Sequence, residues 1–346
     1  MKLEEYYALR NELRDLRDLR RFKYPRGMLF TVLAQKKVDM VKYNFHSVAE
    51  RLEELKDYWE CYRKFPAWAR LMPVMRVHLL LRALGYTKKA VARAIRNPDT
   101  IQDEELRRVA WNAVLRDYVY SPIAVRHQFA RGRLGERIIR EWLEERGIEY
   151  EDEKALRSKY GKTPDFLLSE PVEINGSELR WIESKALFGD PKTHRFYAKK
   201  QYNAYLELFG HGAVVYWFGH VSELSEDFEI FSGEIFSSKH LWSLRDMIIY
   251  TTADESEAER LAEKTDGVIA DISGNEQFEI VIPELHPEKC DGKNANGDFI
   301  EGMCKLVDQY SYGRLIIFGD EKDWKKCHRA QVGRVLKNMG FEVFHL

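Results

Sequence analysis

The segment TPDFLLSEPVEINGSELRWIESKA, residues 163–186, contains the pattern from which the fold is inferred. Asn175-Gly176 lies near its middle and is a strong signal for a two-residue β-hairpin turn. A strand is therefore predicted on each side of this turn. Because residues two apart in a strand share a face, Trp181, Glu183 and Lys185 should point to the same side.

Asp165 begins the first of these strands, 18 positions before Glu183. A plain two-residue turn would pair Asp165 with Ala186, and Asp165 would then point away from Glu183 and Lys185. A site shared by these three side chains therefore requires an odd-length loop or a β-bulge. Pro171 marks a place for that irregularity, because proline cannot donate a ladder hydrogen bond.

The residue types in this hairpin suggest a particular chemistry. Two carboxylates at one point repel each other unless a divalent cation or a proton intervenes. Hard oxygen ligands favour Mg²⁺ or Mn²⁺. A nearby lysine can stabilise charge developing on a phosphate, or help to deprotonate an attacking water that the metal makes more acidic. These parts fit the hydrolysis of a phosphodiester.

The order and spacing of these residues resemble the PD-(D/E)XK nuclease superfamily. The residues that carry the resemblance are Glu136, Asp165, Glu183, Lys185 and Gln201. The strings GKTPDF (161–166), WIESKA (181–186) and HRFY (194–197) are similar to its TPD branch, which has animal and archaeal members. The similarity covers roughly residues 70–220. It implies a restriction-endonuclease-like mixed αβ domain and a metal-dependent endonuclease.

The resemblance also implies roles for individual residues. The metal would be held by Asp165, Glu183 and the backbone carbonyl of Ser184. Lys185 would lie beside the attacking water, and Glu136 would complete the shell of the metal or the water. Gln201, with Tyr205 on the same helical face, would orient the lysine or the phosphate.

Residues 193–197 are further candidates. Thr193 could cap the helix that carries Gln201. His194 and Arg195 would then lie either near a substrate phosphate or in surface hydrogen bonds. Tyr197 is a third candidate for contact with nucleic acid.

Residues 1–120 have helical spacing of apolar positions, and a helix over 74–84 stops at Gly85. Thr87 can cap the next helix, which gives a helix-turn-helix outline. The window 63–96 contains nine Lys and Arg residues and no Asp or Glu. Phosphate contact is therefore predicted for Arg76, Lys88, Lys89 and Arg93. The alternative is a helical prop that orders the catalytic domain.

Three domains are predicted: a helical basic domain (1–120), the nuclease domain (121–222) and an acidic domain (223–346). The nuclease domain should have the order α-β-β-α-β. Strands and helices alternate in the last domain, which predicts a Rossmann-like α/β domain with a largely parallel sheet. Neither G-x-G-x-x-G nor G-x-x-x-x-G-K-[ST] occurs, so no nucleotide site is predicted there.

Charge is unevenly distributed along the chain. Residues 1–220 carry 41 Lys and Arg against 31 Asp and Glu, and residues 221–346 carry 14 against 25. This division suggests that the first two thirds meet a polyanion. The acidic remainder suits a homodimer contact, a protein partner or a modulating role. Ordinary surface charge is the alternative interpretation.

DNA is favoured over RNA as the substrate because of the helix-turn-helix outline and the resemblance, and branched or flapped DNA remains open. The alternatives are an RNA-processing nuclease and a catalytically weak or inactive nucleic-acid-binding adaptor that recruits partners. The sequence has neither a membrane-length apolar stretch nor a secretion signal, which predicts an intracellular protein, cytoplasmic or nucleoid-associated. The four cysteines (61, 290, 304 and 327) are expected to be reduced and mostly buried.

Overall fold

The computed structural model describes residues 1–224, 227–274, 277–286 and 296–346. The α-helices are α1 (Leu3–Glu12), α2 (Arg26–Ala49), α3 (Leu52–Tyr62), α4 (Pro73–Ala83), α5 (Lys88–Arg96), α6 (Glu104–Arg116), α7 (Pro122–Glu144), α8 (Glu153–Leu156), α9 (Pro191–Tyr197), α10 (Asn203–Phe209), α11 (Leu241–Asp246), α12 (Glu255–Thr265), α13 (Gly297–Asp308) and α14 (Arg329–Asn338). The strands are β1 (Tyr150–Asp152), β2 (Phe166–Ile174), β3 (Ser177–Lys185), β4 (Ala213–Tyr216), β5 (Glu229–Ser232), β6 (Ile248–Thr252), β7 (Val268–Asp271), β8 (Ile280–Val281), β9 (Leu315–Phe318) and β10 (Glu342–His345).

The chain forms two compact units, and each is built from two separate segments. The first unit contains residues 1–32 and 131–246, and the second contains residues 33–130 and 247–346. The three domains predicted from the sequence are consecutive segments, and that division stays a prediction. Strand β5 lies beyond the predicted boundary at 222, yet it pairs with β4.

The sheet of the first unit has the order β1-β2-β3-β4-β5. Strands β1, β2 and β3 are antiparallel, whereas β4 and β5 continue the sheet in parallel. All four residues of β4 are buried, as is usual for an apolar strand inside a sheet. Buried aromatic rings, among them Trp181, Tyr202 and Tyr216, form a core cluster with Val214. The elements of the predicted order α-β-β-α-β are present as α7, β2, β3, the α9–α10 region and β4, but β1 and α8, which were not predicted, lie between α7 and β2.

The helices of the second unit include a well-defined pair, α4 and α5. Helix α4 ends before Gly85, whose φ is +85°, and α5 follows after a short turn. The Thr87 hydroxyl accepts a hydrogen bond from the Ala90 N–H at 3.2 Å, so Thr87 is the N-cap as predicted. The two helices and their glycine turn are therefore present.

The sheet of the second unit has the order β10-β6-β9-β7-β8, and every pair in it is parallel. This confirms the predicted parallel sheet. Helix α14 begins at Arg329 and not earlier, because the Asp323 side chain accepts from the Lys325 N–H and forms a turn. Strand β8 is short, and a 3₁₀ helix begins after it at Pro283.

In the part of the chain that the structure describes, no helix is long and apolar enough to cross a membrane. Cys61, Cys304 and Cys327 are free thiols, but only Cys327 is buried. The prediction of mostly buried thiols is therefore wrong for Cys61, which lies on an exposed position near the end of α3. Cys290 lies outside the described residues.

Candidate active site

The β2–β3 hairpin determines where the acidic residues lie. Asn175 and Gly176 have φ values of +54° and +84°, as a type I′ turn requires. Next to the turn, Ile174 pairs with Ser177 and Val172 pairs with Leu179. The predicted hairpin at Asn175-Gly176 is confirmed.

The register of the hairpin then shifts between Leu167 and Val172. Residues 168–171 lie opposite Arg180 alone, and beyond them Phe166 pairs with Ile182. The extra residues on β2 change the alignment by an odd number, so position 165 falls beside Glu183 rather than Ala186. The predicted irregularity near Pro171 is confirmed.

Direct hydrogen bonds join Asp165 to β3. The Ser184 N–H donates to Asp165 Oδ2 at 2.7 Å, and the Asp165 N–H donates to Glu183 Oε2 at 3.2 Å. The ammonium of Lys185 contacts Glu183 Oε1. The Glu183 side chain is 2% exposed and that of Lys185 is 14% exposed. Two carboxylates and one ammonium are thus held together in a largely desolvated place.

The electrostatics of this group follow from burial. Burial raises the pKa of Glu183 and of Asp165, and the charge of Asp165 raises the pKa of Glu183 further. Burial acts to lower the pKa of Lys185, but the charges of Glu183 and Asp165 outweigh it and the pKa is raised. Lys185 is therefore an ammonium, and the two acids favour a proton or a cation between them.

Glu136 lies on α7 and is half-buried. Burial, followed by the charge of Asp165, raises the pKa of Glu136 to about 7. The carboxylate of Glu136 is therefore within electrostatic range of Asp165. Among the described residues, however, no three His, Cys, Asp or Glu side chains form a group that could hold a metal ion. Glu136 is near the site without completing such a group.

A π-helix over Ala198–Tyr202 connects α9 to α10 and carries Gln201. Gln201 Nε2 donates to the Tyr205 hydroxyl at 3.2 Å, and that hydroxyl donates to the Thr163 carbonyl at 2.7 Å. Gln201 Oε1 is buried and has no hydrogen-bond partner among the described residues. The helix is thereby tied to the backbone two positions before Asp165, which shows a role for Tyr205 beyond packing.

Two tyrosines from the same helical region surround Lys185. The Lys185 Nζ lies 5.0 Å from the ring centroid of Tyr197 and 5.9 Å from that of Tyr202. Tyr197 was predicted to contact nucleic acid, and the structure places its ring against the lysine. Both rings can stabilise the ammonium through cation–π contacts.

His194 lies in the core instead of on the surface. Its side chain is 2% exposed, and its Nδ1 is 2.9 Å from the Tyr216 hydroxyl. The expectation that His194 contacts nucleic acid is therefore not supported, because packing separates its ring from solvent. Arg195, the next residue, is exposed.

Asp190 is the N-cap of the helix that follows β3. Its carboxylate accepts from the Lys192 N–H at 3.0 Å, the Thr193 N–H at 3.1 Å and the Thr193 hydroxyl at 2.6 Å. The prediction that Thr193 is the cap is wrong for this reason. The sequence signal that could have found it is an aspartate directly before Pro191, since proline favours the first helical position.

Trp217 was also missed as a supporting residue. Its indole Nε1 donates to the Ser184 hydroxyl at 2.8 Å. A Cβ at Gly135 would lie 2.2 Å from that same indole nitrogen. The glycine next to Glu136 therefore permits α7 to approach the tryptophan that orders Ser184.

Replacement of Gly135 should test this close approach. We expect Gly135→Ala to lower the free energy of unfolding by about 1–3 kcal/mol, the usual cost of overpacking. Gly132→Ala is the matched control, since a Cβ there meets nothing within 4 Å and alanine favours a helix by about 0.5–1 kcal/mol. Urea unfolding of both variants measures the difference. Equal stability of the two would contradict the packing role.

The predicted basic surface is only partly exposed. Lys88, Lys89 and Arg93 are exposed on α5. Arg76 is half-buried, and its guanidinium carbon lies 5.3 Å from the ring centroid of Phe65. Arg76 therefore differs from the other three cations, because its side chain contributes to packing.

The protein is of the mixed α/β class, and its candidate site lies on an acidic hairpin. Comparison with known proteins shows which family the part of the chain around this hairpin resembles. A family model described as "Protein of unknown function TPD sequence-motif" matches residues 102–233. The proteins named CDAN1-interacting nuclease 1 from Homo sapiens, Bos taurus and Mus musculus are each 37% identical to this chain over 139 residues. That region is 40% of this chain and 50% of each relative.

The resemblance to the TPD branch is thus confirmed for the part of the chain that carries the site. The chain spans about half the length of the curated relatives it matches. These relatives are named as nucleases. No solved structure matches the chain.

Proposed function

We propose that this protein is a metal-dependent endonuclease that hydrolyses phosphodiester bonds in DNA with a metal-activated water. The observation that carries the proposal is the hydrogen-bonded group of Asp165, Glu183 and Lys185 at the shifted register of the hairpin. The nuclease names of the relatives add support at the level of the family. The antiparallel hairpin continued by parallel strands suits a PD-(D/E)XK fold.

The donor atoms at the site fit a hard divalent cation. Asp165 and Glu183 supply carboxylate oxygens. Burial raises the pKa of both side chains, which shows that two negative charges are unfavourable there. The Ser184 carbonyl is the third ligand that we assign. When bound, Mg²⁺ or Mn²⁺ would offset these charges and make a water molecule more acidic. We assign Glu136 to the shell of the metal or of the attacking water, because its carboxylate is within electrostatic range of Asp165.

Lys185 has two conceivable roles, and its protonation state favours one of them. Its Nζ contacts Glu183 and lies over the rings of Tyr197 and Tyr202, which favour a cation, and an ammonium is a poor base for the attacking water. Stabilisation of the negative charge that develops on the phosphate fits better. The Gln201 Oε1, which has no partner among the described residues, is an acceptor that can orient this ammonium or a water beside it.

An exposed aromatic residue with cationic neighbours lies near the lysine and suits a nucleic-acid strand. Phe196 is 57% exposed, and its ring packs edge-on against Tyr197 at 5.2 Å. Arg195, Lys199 and Lys200 are exposed beside it. Base stacking on Phe196 and phosphate contacts from these cations would hold DNA next to Lys185.

The roles of the remaining regions extend the proposal. The exposed cations of α5 are proposed to contact phosphates, in line with a helix-turn-helix. The parallel sheet of the second unit suits a Rossmann-like fold. Its acidic segments are proposed to meet a protein partner or a second copy of the chain, because like charge opposes contact with DNA.

Incubation with labelled substrates tests the proposed activity. Duplex, single-stranded, flapped and branched DNA, and the matching RNAs, are each mixed with the protein and Mg²⁺ or Mn²⁺. We expect metal-dependent internal cleavage of at least one DNA form. Binding without cleavage of any substrate would favour the nucleic-acid-binding adaptor, and cleavage of RNA alone would favour an RNA-processing nuclease.

A charge-neutralising variant of α5 tests whether this helix contacts nucleic acid. Lys88→Gln, Lys89→Gln and Arg93→Gln together should weaken binding and reduce the log–log salt slope by about 0.9 for each phosphate that is no longer neutralised. Arg76 is left intact because it packs on Phe65. Lys42→Gln, Lys322→Gln and Lys325→Gln remove the same charge from other exposed positions. If the salt slope is the same in both triple variants, α4 and α5 do not contact phosphates and serve as a helical support for the catalytic domain.

A further inference from the structure

A cavity of about 480 Å³ in the second unit is lined by positively charged residues. Its lining includes the side chains of Lys37, Arg70, Arg76 and Arg116, and no Asp or Glu of the described residues lines it. Apolar and aromatic residues such as Phe65 and Tyr118 form the rest of its wall. Three of these cations, Arg70, Arg76 and Arg116, thus share one concave surface, where their mutual repulsion is unfavourable unless an anion offsets it.

None of the three arginines has a hydrogen-bonded or ion-paired acidic partner in the part of the chain that the structure describes. Within those ranges, the side chains of Arg70, Arg76 and Arg116 form neither a hydrogen bond nor an ion pair, and Arg76 Nε is buried without a partner. Burial lowers the pKa of the Arg76 guanidinium, against an opposing effect of Asp117. A partly desolvated guanidinium with an unused donor is costly, and a bound anion would remove that cost.

The charge of Asp117 acts on Arg76, but the Asp117 carboxylate is hydrogen-bonded to backbone N–H groups. Asp117 accepts from the Val74 N–H at 2.9 Å, from the Val119 N–H at 2.9 Å and from the Tyr120 N–H at 2.8 Å. Asp117 is fully buried, whereas Arg70 and Arg116 are exposed. The carboxylate therefore stabilises the start of α4, and the arginines of the cavity remain available to a ligand from solvent.

We propose that this cavity is a phosphate-binding site. Guanidinium groups present paired N–H donors that match the oxygens of a phosphate, and several of them together match a dianion. The phosphate can come from a nucleic-acid strand or from free phosphate in solution. The nucleic-acid source rests on the proposed function, whereas the cavity itself does not.

Calorimetric titration of inorganic phosphate into the full chain, with EDTA and no divalent metal, tests the site. We expect saturable binding at one site, and Arg70→Gln with Arg116→Gln should weaken it about tenfold or more, since the variant removes two charge-assisted hydrogen-bond donors. Lys42→Gln with Arg82→Gln is the matched control, because both residues are exposed, lie in the same unit and do not line the cavity. The control should bind phosphate like the parent.

Competition by oligonucleotides distinguishes the two sources. A 5′-phosphorylated strand that displaces phosphate better than its 5′-hydroxyl counterpart identifies a strand end, and equal displacement identifies backbone phosphates. Displacement by neither strand identifies free phosphate. The proposal is overturned if the parent shows no saturable phosphate binding, or if the Arg70/Arg116 variant binds as the parent does. Since no metal or cleavage is involved, failure of the nuclease proposal leaves this result unaffected.

Discussion

Asp165→Asn and Glu183→Gln should each weaken Mg²⁺ or Mn²⁺ binding by more than the roughly 10–100-fold that loss of an outer-shell partner costs. Single-turnover cleavage should fall by at least about 10², because each variant removes a ligand of the ion that stabilises the transition state. Each carboxylate is held in its own position, Asp165 by the Ser184 N–H and Glu183 by the Asp165 N–H. Neither can therefore take the place of the other. Metal titration by calorimetry and quenched single-turnover cleavage measure the two effects.

These two variants should remain folded, and that distinguishes a functional acid from a structural one. Asp165→Asn removes one of two buried like charges and keeps the contact between Glu183 and Lys185, so its free energy of unfolding should be unchanged or higher. In Asp165→Asn the pKa of Glu183 should also fall, since the charge of Asp165 raises it. Glu178→Gln, an exposed position on the same strand, is the control and should alter none of these quantities. Folded acid variants that bind metal and cleave like the parent would place the catalytic centre elsewhere.

The hairpin was predictable because its signals are local. Asn175-Gly176 specifies a turn by its own backbone preferences, and the requirement that Asp165 join Glu183 specified an odd shift near Pro171. The length of the irregularity was not predictable. Residues 168–171 lie opposite Arg180 alone while Leu168 also pairs with Tyr150 of β1, so the bulge depends on a third strand.

Other parts of the site depended on tertiary contacts that spacing does not reveal. His194 looked like a surface residue between Thr193 and Arg195, yet its ring fits between Tyr202 and Tyr216 in the core. Arg76 looked like its basic neighbours, although Phe65 packs against it. In both cases the partner comes from another element, so a helical pattern cannot predict the burial.

The segmented organisation of the chain was equally hidden from a linear analysis. Each compact unit combines an early segment with a late one, so residues 33–130 pack with residues 247–346. The Asn338 side chain, for example, donates to the Leu115 carbonyl at 3.0 Å. A change in composition and periodicity along the sequence marks where secondary structure changes. It does not show which segments fold together.

Lys185→Ala should separate metal binding from catalysis. The variant removes an ammonium that contacts Glu183, so the site becomes more negative and metal binding should persist or tighten. Cleavage should nevertheless slow by about 10² or more, as expected when one stabiliser of transition-state charge is removed. Lys159→Ala, which removes the same charge from an exposed position, is the control.

The same pair of measurements shows how this prediction could fail. If Lys185→Ala cleaves at the parental rate while the acid variants are inactive, the lysine only neutralises Glu183 and stacks on Tyr197. If the variant loses metal binding together with activity, the ammonium organises the carboxylates before the ion arrives. Retained metal with slow cleavage remains the expected result, because the two carboxylates hold the ion, whereas the Lys185 ammonium would stabilise charge on the phosphate.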